Sequence, residues 1–221
     1  SSRCGSADLL EALGVPADVE PERARRAIEE VGIGFLFAPR FHPAMRHAAG
    51  PRREIGLRTV FNVLGPLTNP AGARHQVVGV YDASLVEPIA RVLAQLGALH
   101  AFVVHGDGMD ELAPSGPSRV AEVKDGCVRT FELRPEDAGL PRHPPHAVRG
   151  GEAEHNARLA MSVLRGERGP HRDVVLLNAA AALLAAGTCS DLREAVQRAA
   201  ESVDRGAALS KLEELRVFLQ G

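Results

Sequence analysis

Three carboxylates fall within five positions in the segment His105-Gly106-Asp107-Gly108-Met109-Asp110-Glu111-Leu112. Two glycines beside them let the backbone come close to a ligand, and oxygen-rich loops of this kind suit Mg²⁺. That ion prefers hard oxygen ligands and is commonly shared between one or two carboxylates and the phosphates of a substrate. The segment follows the apolar run His100-Ala101-Phe102-Val103-Val104-His105, which reads as a strand. Ligands of open α/β sheets bind beyond the carboxyl ends of the strands, where this loop would stand. A solvated acidic turn is the alternative, because short acidic loops are common surface features.

Cations stand upstream at Arg52, Arg53 and Arg58, and a guanidinium can receive a carboxylate through two parallel hydrogen bonds. They lead into Arg58-Thr59-Val60-Phe61-Asn62-Val63-Leu64-Gly65-Pro66-Leu67-Thr68-Asn69-Pro70, which reads as a specific loop with Asn62 and Asn69 in turns. Ser1, Ser2, Gly5 and Ser6 precede a helix, so hydroxyls and helix-end N–H groups there could bind an anion. Ordinary capping by Ser6 is the competing reading. His42, His47, His143 and His146 make no metal-binding pattern and read as surface or loop residues.

The elements that must position these groups follow from pattern. Ser6 would cap a helix over 7–13 that stops at Gly14, and Pro21 suits the first turn of a second helix ending at Gly32. Residues 76–81 read as a buried strand. Ser84-Leu85-Val86-Glu87 reads as a capping box for a helix whose apolar face runs to Leu96 before Gly97. With the strand over 100–105 this makes a right-handed βαβ unit. Segments 119–124 and 127–132 flank Asp125-Gly126, a two-residue hairpin signal. Helices follow over 152–164 and 173–186, then one capped by Ser190, then a last one carrying Leu209, Leu212, Leu215 and Phe218.

Composition narrows the function classes. Hydrophobic residues make up 45% and charged residues 24% of 221 positions, the profile of a globular protein. No apolar run reaches bilayer length, so no membrane span is expected. A net charge of −2 argues against nucleic-acid binding through a general basic field. Cys4, Cys127 and Cys189 offer neither a disulfide framework nor a CxxC site, which points to a reducing, cytoplasmic setting.

Several segments together resemble the anthranilate phosphoribosyltransferase family. They are Gly5-Ser6-Ala7-Asp8-Leu9-Leu10-Glu11-Ala12-Leu13-Gly14, Gly34-Phe35-Leu36-Phe37-Ala38-Pro39 with His42-Pro43-Ala44-Met45, Arg58 to Pro70, and His105 to Glu111. The match runs in order along the chain, and Arg58 to Pro70 is its most specific part. The resemblance implies an α/β fold in which helices flank a mostly parallel central sheet with an antiparallel hairpin. It implies one catalytic domain over 1–221, incomplete at its N-terminal side. The family's N-terminal helical domain, its Gly-Thr-Gly-Gly-Asp diphosphate loop and its Lys-His-Gly-Asn segment would belong upstream of Ser1. On that expectation the chain by itself has little activity.

The implied reaction moves a phosphoribosyl group from phosphoribosyl pyrophosphate to anthranilate, giving phosphoribosylanthranilate and pyrophosphate, in tryptophan biosynthesis. By the same resemblance Ser1, Ser2 and Ser6 bind phosphoribosyl pyrophosphate, Arg52 receives anthranilate, and Asp110 and Glu111 hold Mg²⁺. A homodimer is implied for the full-length protein. No residue is identified as a general base. His155 departs from the family, which usually has an acidic residue there. Two alternatives remain: a pyrimidine nucleoside phosphorylase-like enzyme, and a non-catalytic ligand-binding relative of the same fold.

Overall fold

A computed structural model describes residues 4–42 and 61–221. The chain divides into two compact units, one formed by 1–62, 150–166 and 203–221, the other by 63–149 and 167–202.

The first unit is helical. Helix α1 (Ser6–Ala12) starts one residue earlier than the pattern predicts: its N-cap is Gly5, whose N–H donates to Asp8 Oδ2 at 2.8 Å. Ser6 is therefore not the cap. Gly14, at φ +79°, ends the turn as expected. Helix α2 (Pro21–Arg26) opens on proline and runs on as a π-helical turn (Ala27–Val31) to Gly32 at φ +89°. Helix α3 (Ala38–Phe41) is a single turn after an extended stretch.

The core of this unit joins distant parts of the chain. Val15 and Ala27 pack with Leu215 and Leu219 of the last helix, α9 (Ala207–Gln220), and Leu10, Val31, Leu212 and Phe218 surround them. Polar bonds close the same seam. Lys211 Nζ donates to Val31 O at 2.8 Å, Arg23 Nη2 to Phe218 O at 2.9 Å, and Gln220 Nε2 to Gly14 O at 2.8 Å. Each supplies a donor to a carbonyl that a helix or turn end leaves without an intrahelical partner. Helix α6 (Ala153–Leu164) packs on α1 and α9.

Helix α4 (Phe61–Leu67) leads into the second unit, so the stretch expected to be loop is helical over 61–67, with Pro66 inside the helix, and only 68–70 remain irregular or turn. The sheet order is β1-β2-β3-β4, for β1 (His75–Gly79), β2 (His100–Gly106), β3 (Ser118–Lys124) and β4 (Cys127–Leu133). β1 and β2 are parallel, in the register His75 opposite His100. They are joined by a 3₁₀ turn (Ala83–Leu85) and α5 (Val86–Gln95). The remaining two pairs are antiparallel. Among the described residues the sheet is thus mixed rather than mostly parallel. A parallel pairing needs a long crossover, which only the β1–β2 connection contains. The β3–β4 link is the predicted Asp125-Gly126 turn, with both φ angles positive at 50° and 78°.

Helix α5 packs its Val86, Ile89, Ala90 and Leu93 against Val78, Ala101, Val103, Ala121 and Val123 of the sheet. Helix α7 (Pro170–Ala185) lies against β1 and β2, with Leu176, Leu177, Ala180 and Ala181 buried. It begins at Pro170, earlier than expected, because proline suits a first helical turn. Two other caps differ from expectation. Ser84 donates its N–H and hydroxyl to Asp82 Oδ1 instead of capping. Asp191, not Ser190, accepts the first N–H groups of α8 (Leu192–Asp204), at 2.9 Å from Arg193 and 3.0 Å from Glu194.

Candidate functional site

The acidic loop begins where β2 ends. Gly106 N–H donates to Met109 O at 3.1 Å and Met109 N–H returns to Gly106 O at 2.8 Å, enclosing Asp107 and Gly108 at φ +48° and +78°. This two-residue turn reverses the chain immediately past the carboxyl end of the strand. Ser115 Oγ donates to Asp107 Oδ2 at 2.5 Å, so one of the three carboxylates serves the loop itself. Asp110 and Glu111 are exposed, and no hydrogen bond or ion pair engages either side chain among the described residues. Partial desolvation pushes the Glu111 carboxyl above the usual carboxylate range, and the adjacent Asp110 charge pushes it the same way.

The backbone of this pair is held tightly. A Cβ on Gly79 of β1 would lie 1.6 Å from Asp110 O, so the loop carbonyl rests directly on a strand residue that has no side chain. At Gly106 a Cβ would meet Ser118 Oγ at 2.4 Å and Ala113 N at 2.7 Å. Fully buried Ser118 accepts the Ala113 N–H at 2.9 Å. Asn178 of α7 bonds both backbone groups of Leu112. His105 Nδ1 lies 2.8 Å from Val80 O; a carbonyl only accepts, so that nitrogen carries the proton. His143, read as a surface or loop residue, lies in an irregular segment and is half-buried: its ring meets Asp173 Oδ2 at 2.6 Å and its backbone N–H donates to Pro114 O at 2.8 Å.

Gly79, Ser118 and Asn178 escape a reading by motif. Gly79 alone carries a sequence signal, a lone glycine in a strand, which marks a close backbone approach. Of the other predicted site residues, Ser6 lies in the first unit as an exposed residue of the first turn of α1. The Asp8 carboxylate shares that helix end. Ser1, Ser2 and Arg52 fall outside the described residues.

No group of three or more His, Cys, Asp or Glu able to hold a metal exists among the described residues. A cation at Asp110 and Glu111 would need oxygens from elsewhere, as Mg²⁺ bound jointly by protein and phosphate does. The fit is otherwise good. Two adjacent oxygen-donor side chains, unpaired among the described residues, stand on a tightly seated backbone, and positive charge would relieve their mutual repulsion.

A cavity of about 770 Å³ opens at the amino ends of β1 and β2, lined by His75, His100, Glu122, Arg129, Phe131 and Leu184 among others. Glu122 is 6% exposed and bonds His100 Nε2 at 2.8 Å and Arg129 Nε. Burial pushes its carboxyl upward, but the bonds from Arg129 and His100 outweigh burial and hold it below the usual range.

Comparison with known proteins places residues 1–209 in a match to the family described as glycosyl transferase family, a/b domain. Among curated relatives, the anthranilate phosphoribosyltransferase of Anaeromyxobacter dehalogenans is 60% identical over 215 residues, 97% of this chain and 64% of the relative. That of Symbiobacterium thermophilum is 58% identical over 219 residues, 99% of this chain and 64% of the relative. The chain therefore spans about 64% of the length of these relatives. Among solved structures, the Thermus thermophilus anthranilate phosphoribosyltransferase aligns at TM-score 0.92 and 51% identity, over 98% of this chain and 65% of that one. The Saccharomyces cerevisiae enzyme in complex with PRPP and Mg aligns at TM-score 0.88 and 30% identity, over 98% and 63%.

Proposed function

Because the chain belongs to the glycosyl transferase family, a/b domain, we propose that its protein transfers the phosphoribosyl group of phosphoribosyl pyrophosphate to the amine of anthranilate. The observation that carries this reading is the exposed Asp110–Glu111 pair, unpaired among the described residues and seated at the carboxyl end of β2. The names of relatives up to 60% identical support it, as does the yeast complex with PRPP and Mg. The family match runs through both units, which supports one catalytic domain over 1–221. The setting is cytoplasmic and the protein a homodimer on this reading; no helix among the described residues is long and apolar enough to cross a membrane.

In the reaction a C–N bond forms at the anomeric carbon as the C–O bond to pyrophosphate breaks. Asp110 and Glu111 would hold Mg²⁺, which when bound offsets the negative charge growing on the leaving pyrophosphate. Ser1, Ser2 and Ser6 would donate hydroxyl hydrogen bonds to phosphate oxygens. Arg52 would grip the anthranilate carboxylate and hold the amine, a weak nucleophile, facing the sugar. No residue is assigned to take the amine proton.

The test follows the loss of anthranilate fluorescence in the full-length protein. Turnover should require both phosphoribosyl pyrophosphate and Mg²⁺, and Asp110→Asn with Glu111→Gln should lower kcat and raise the Mg²⁺ needed for half-maximal rate. Superimposable Mg²⁺ curves for parent and variant would remove the metal assignment. Turnover of a pyrimidine nucleoside with inorganic phosphate in place of the transferase reaction would overturn the function.

A further inference from the structure

The two acidic side chains receive no hydrogen bond among the described residues, so their placement is set through the backbone. Upstream, the Asp107-Gly108 turn and the Gly79 contact fix it. Downstream, the next residue after the pair is Leu112, and a single side chain grips it from both sides. Asn178 Oδ1 accepts the Leu112 N–H at 2.9 Å, and Asn178 Nδ2 donates to Leu112 O at 3.0 Å. The amide thus supplies to one residue the paired bonds that a neighbouring strand would give. The second Nδ2 proton goes to Val174 O at 3.0 Å, one turn back in α7, and this fixes the amide relative to the helix. Both donors of the Asn178 amide are then in use.

Asparagine is a poor helix former and sits here within a sixteen-residue helix. Neither neighbour in chemistry reproduces its role. Aspartate could accept the Leu112 N–H, but its second oxygen would face two carbonyl oxygens without a proton to offer. Leucine would fill the volume and leave both Leu112 backbone groups unsatisfied beside a side chain that is 1% exposed.

We propose that Asn178 is a positioning residue for the metal site: by fixing Leu112 it holds Asp110 and Glu111 where together they capture the cation with pyrophosphate. The proposal rests on the metal reading of the acidic pair given above. Asn178 itself touches neither metal nor substrate.

The test measures free Mn²⁺ by electron paramagnetic resonance in titrations of the full-length protein with pyrophosphate present, alongside steady-state kinetics. Asn178→Ala and Asn178→Asp should each weaken Mn²⁺ binding roughly tenfold, equivalent to about 1.4 kcal/mol. The Mg²⁺ needed for half-maximal rate should rise by a similar factor, while the KM for anthranilate stays unchanged. Leu177→Ala, a core truncation next to it in α7, should lower stability without weakening the metal. If Asn178→Ala does not fold, Asn178→Asp carries the test, since it keeps size and one of the three bonds. Parallel titration of Asp110→Asn with Glu111→Gln separates two failures. Parent-like Mn²⁺ binding by that double variant would remove the metal reading itself. Loss of metal there, with parent-like binding in the Asn178 variants or equal weakening in Leu177→Ala, would overturn the positioning role alone.

Discussion

A methyl group at position 79 would be driven into the carbonyl of Asp110, since the added carbon would lie 1.6 Å from that oxygen. Backbone cannot rotate away as a side chain can, so Gly79→Ala must lift the acidic loop off β1. Overpacking of this kind costs about 1–3 kcal/mol, occasionally more. Urea unfolding should show that loss, and the Mg²⁺ requirement of the full-length protein should rise with it; an unchanged midpoint would mean that loop and strand separate easily. Arg52 offers a cleaner residue-level test of the other substrate. Arg52→Ala should weaken anthranilate roughly a hundredfold, the loss of a charge-assisted pair worth about 2–3 kcal/mol, and phosphoribosyl pyrophosphate much less. Equal weakening of both substrates would show that Arg52 does not pair with anthranilate. The acidic loop was legible as a candidate because carboxylates after an apolar strand form a local pattern, but that pattern also fits a solvated turn, and only the family resemblance singles out Asp110 and Glu111. Asn178 was not, because its partner Leu112 lies 66 positions away and only the tertiary fold brings them together.

Helix ends show how local competition blurs a sequence reading. Serines at 6, 84 and 190 all suit a cap, yet Gly5, Asp82 and Asp191 occupy the caps. At the last two an aspartate nearby is the stronger acceptor, because its carboxylate is charged and can take two N–H groups at once. Asp191→Ala should therefore cost about 1 kcal/mol in urea unfolding and Ser190→Ala almost nothing; the reverse order would return the cap to Ser190. Strand pairing in the hairpin was read correctly because Asp125-Gly126 satisfies a turn that needs two positive φ angles. The sheet also carries a pH dependence. Glu122 has its folded carboxyl held below the unfolded value, so its contribution is complete above that value, near pH 4, and is lost as pH falls through the lower folded one. Glu122→Gln should flatten the fall in stability below about pH 4. Identical acid limbs for parent and variant would show that the His100–Glu122–Arg129 cluster has no linked stabilisation.

At the scale of the molecule, the βαβ unit, the hairpin and most of the helices followed from pattern and the α/β class from the family resemblance, while the helix over 61–67 and the division into two units did not. Periodicity reports which face of an element is buried, not which distant element buries it. The first unit depends on such pairing: α1 and the π turn are closed by α9, through Leu215 and Leu219 and the Lys211, Arg23 and Gln220 bonds. Removing α9 should therefore expose α1 and α2 to protease while leaving the strands of the second unit protected. Limited proteolysis followed by mass spectrometry would show it, and uniform protection would disprove the dependence.

The seam between Gly14 and Gln220, 206 positions apart, also sets a timetable for biosynthesis. A ribosome adding about 5–20 residues per second needs roughly 10–40 s to go from one side of that seam to the other. Throughout that interval Val15 and Ala27 lack the partners that Leu215 and Leu219 will supply. The second unit, whose strands and crossover helix are close in sequence, can assemble meanwhile. Until α9 arrives the apolar face around Val15 and Ala27 lacks its cover, which makes that face a natural client for a holdase and a site of aggregation when synthesis stalls.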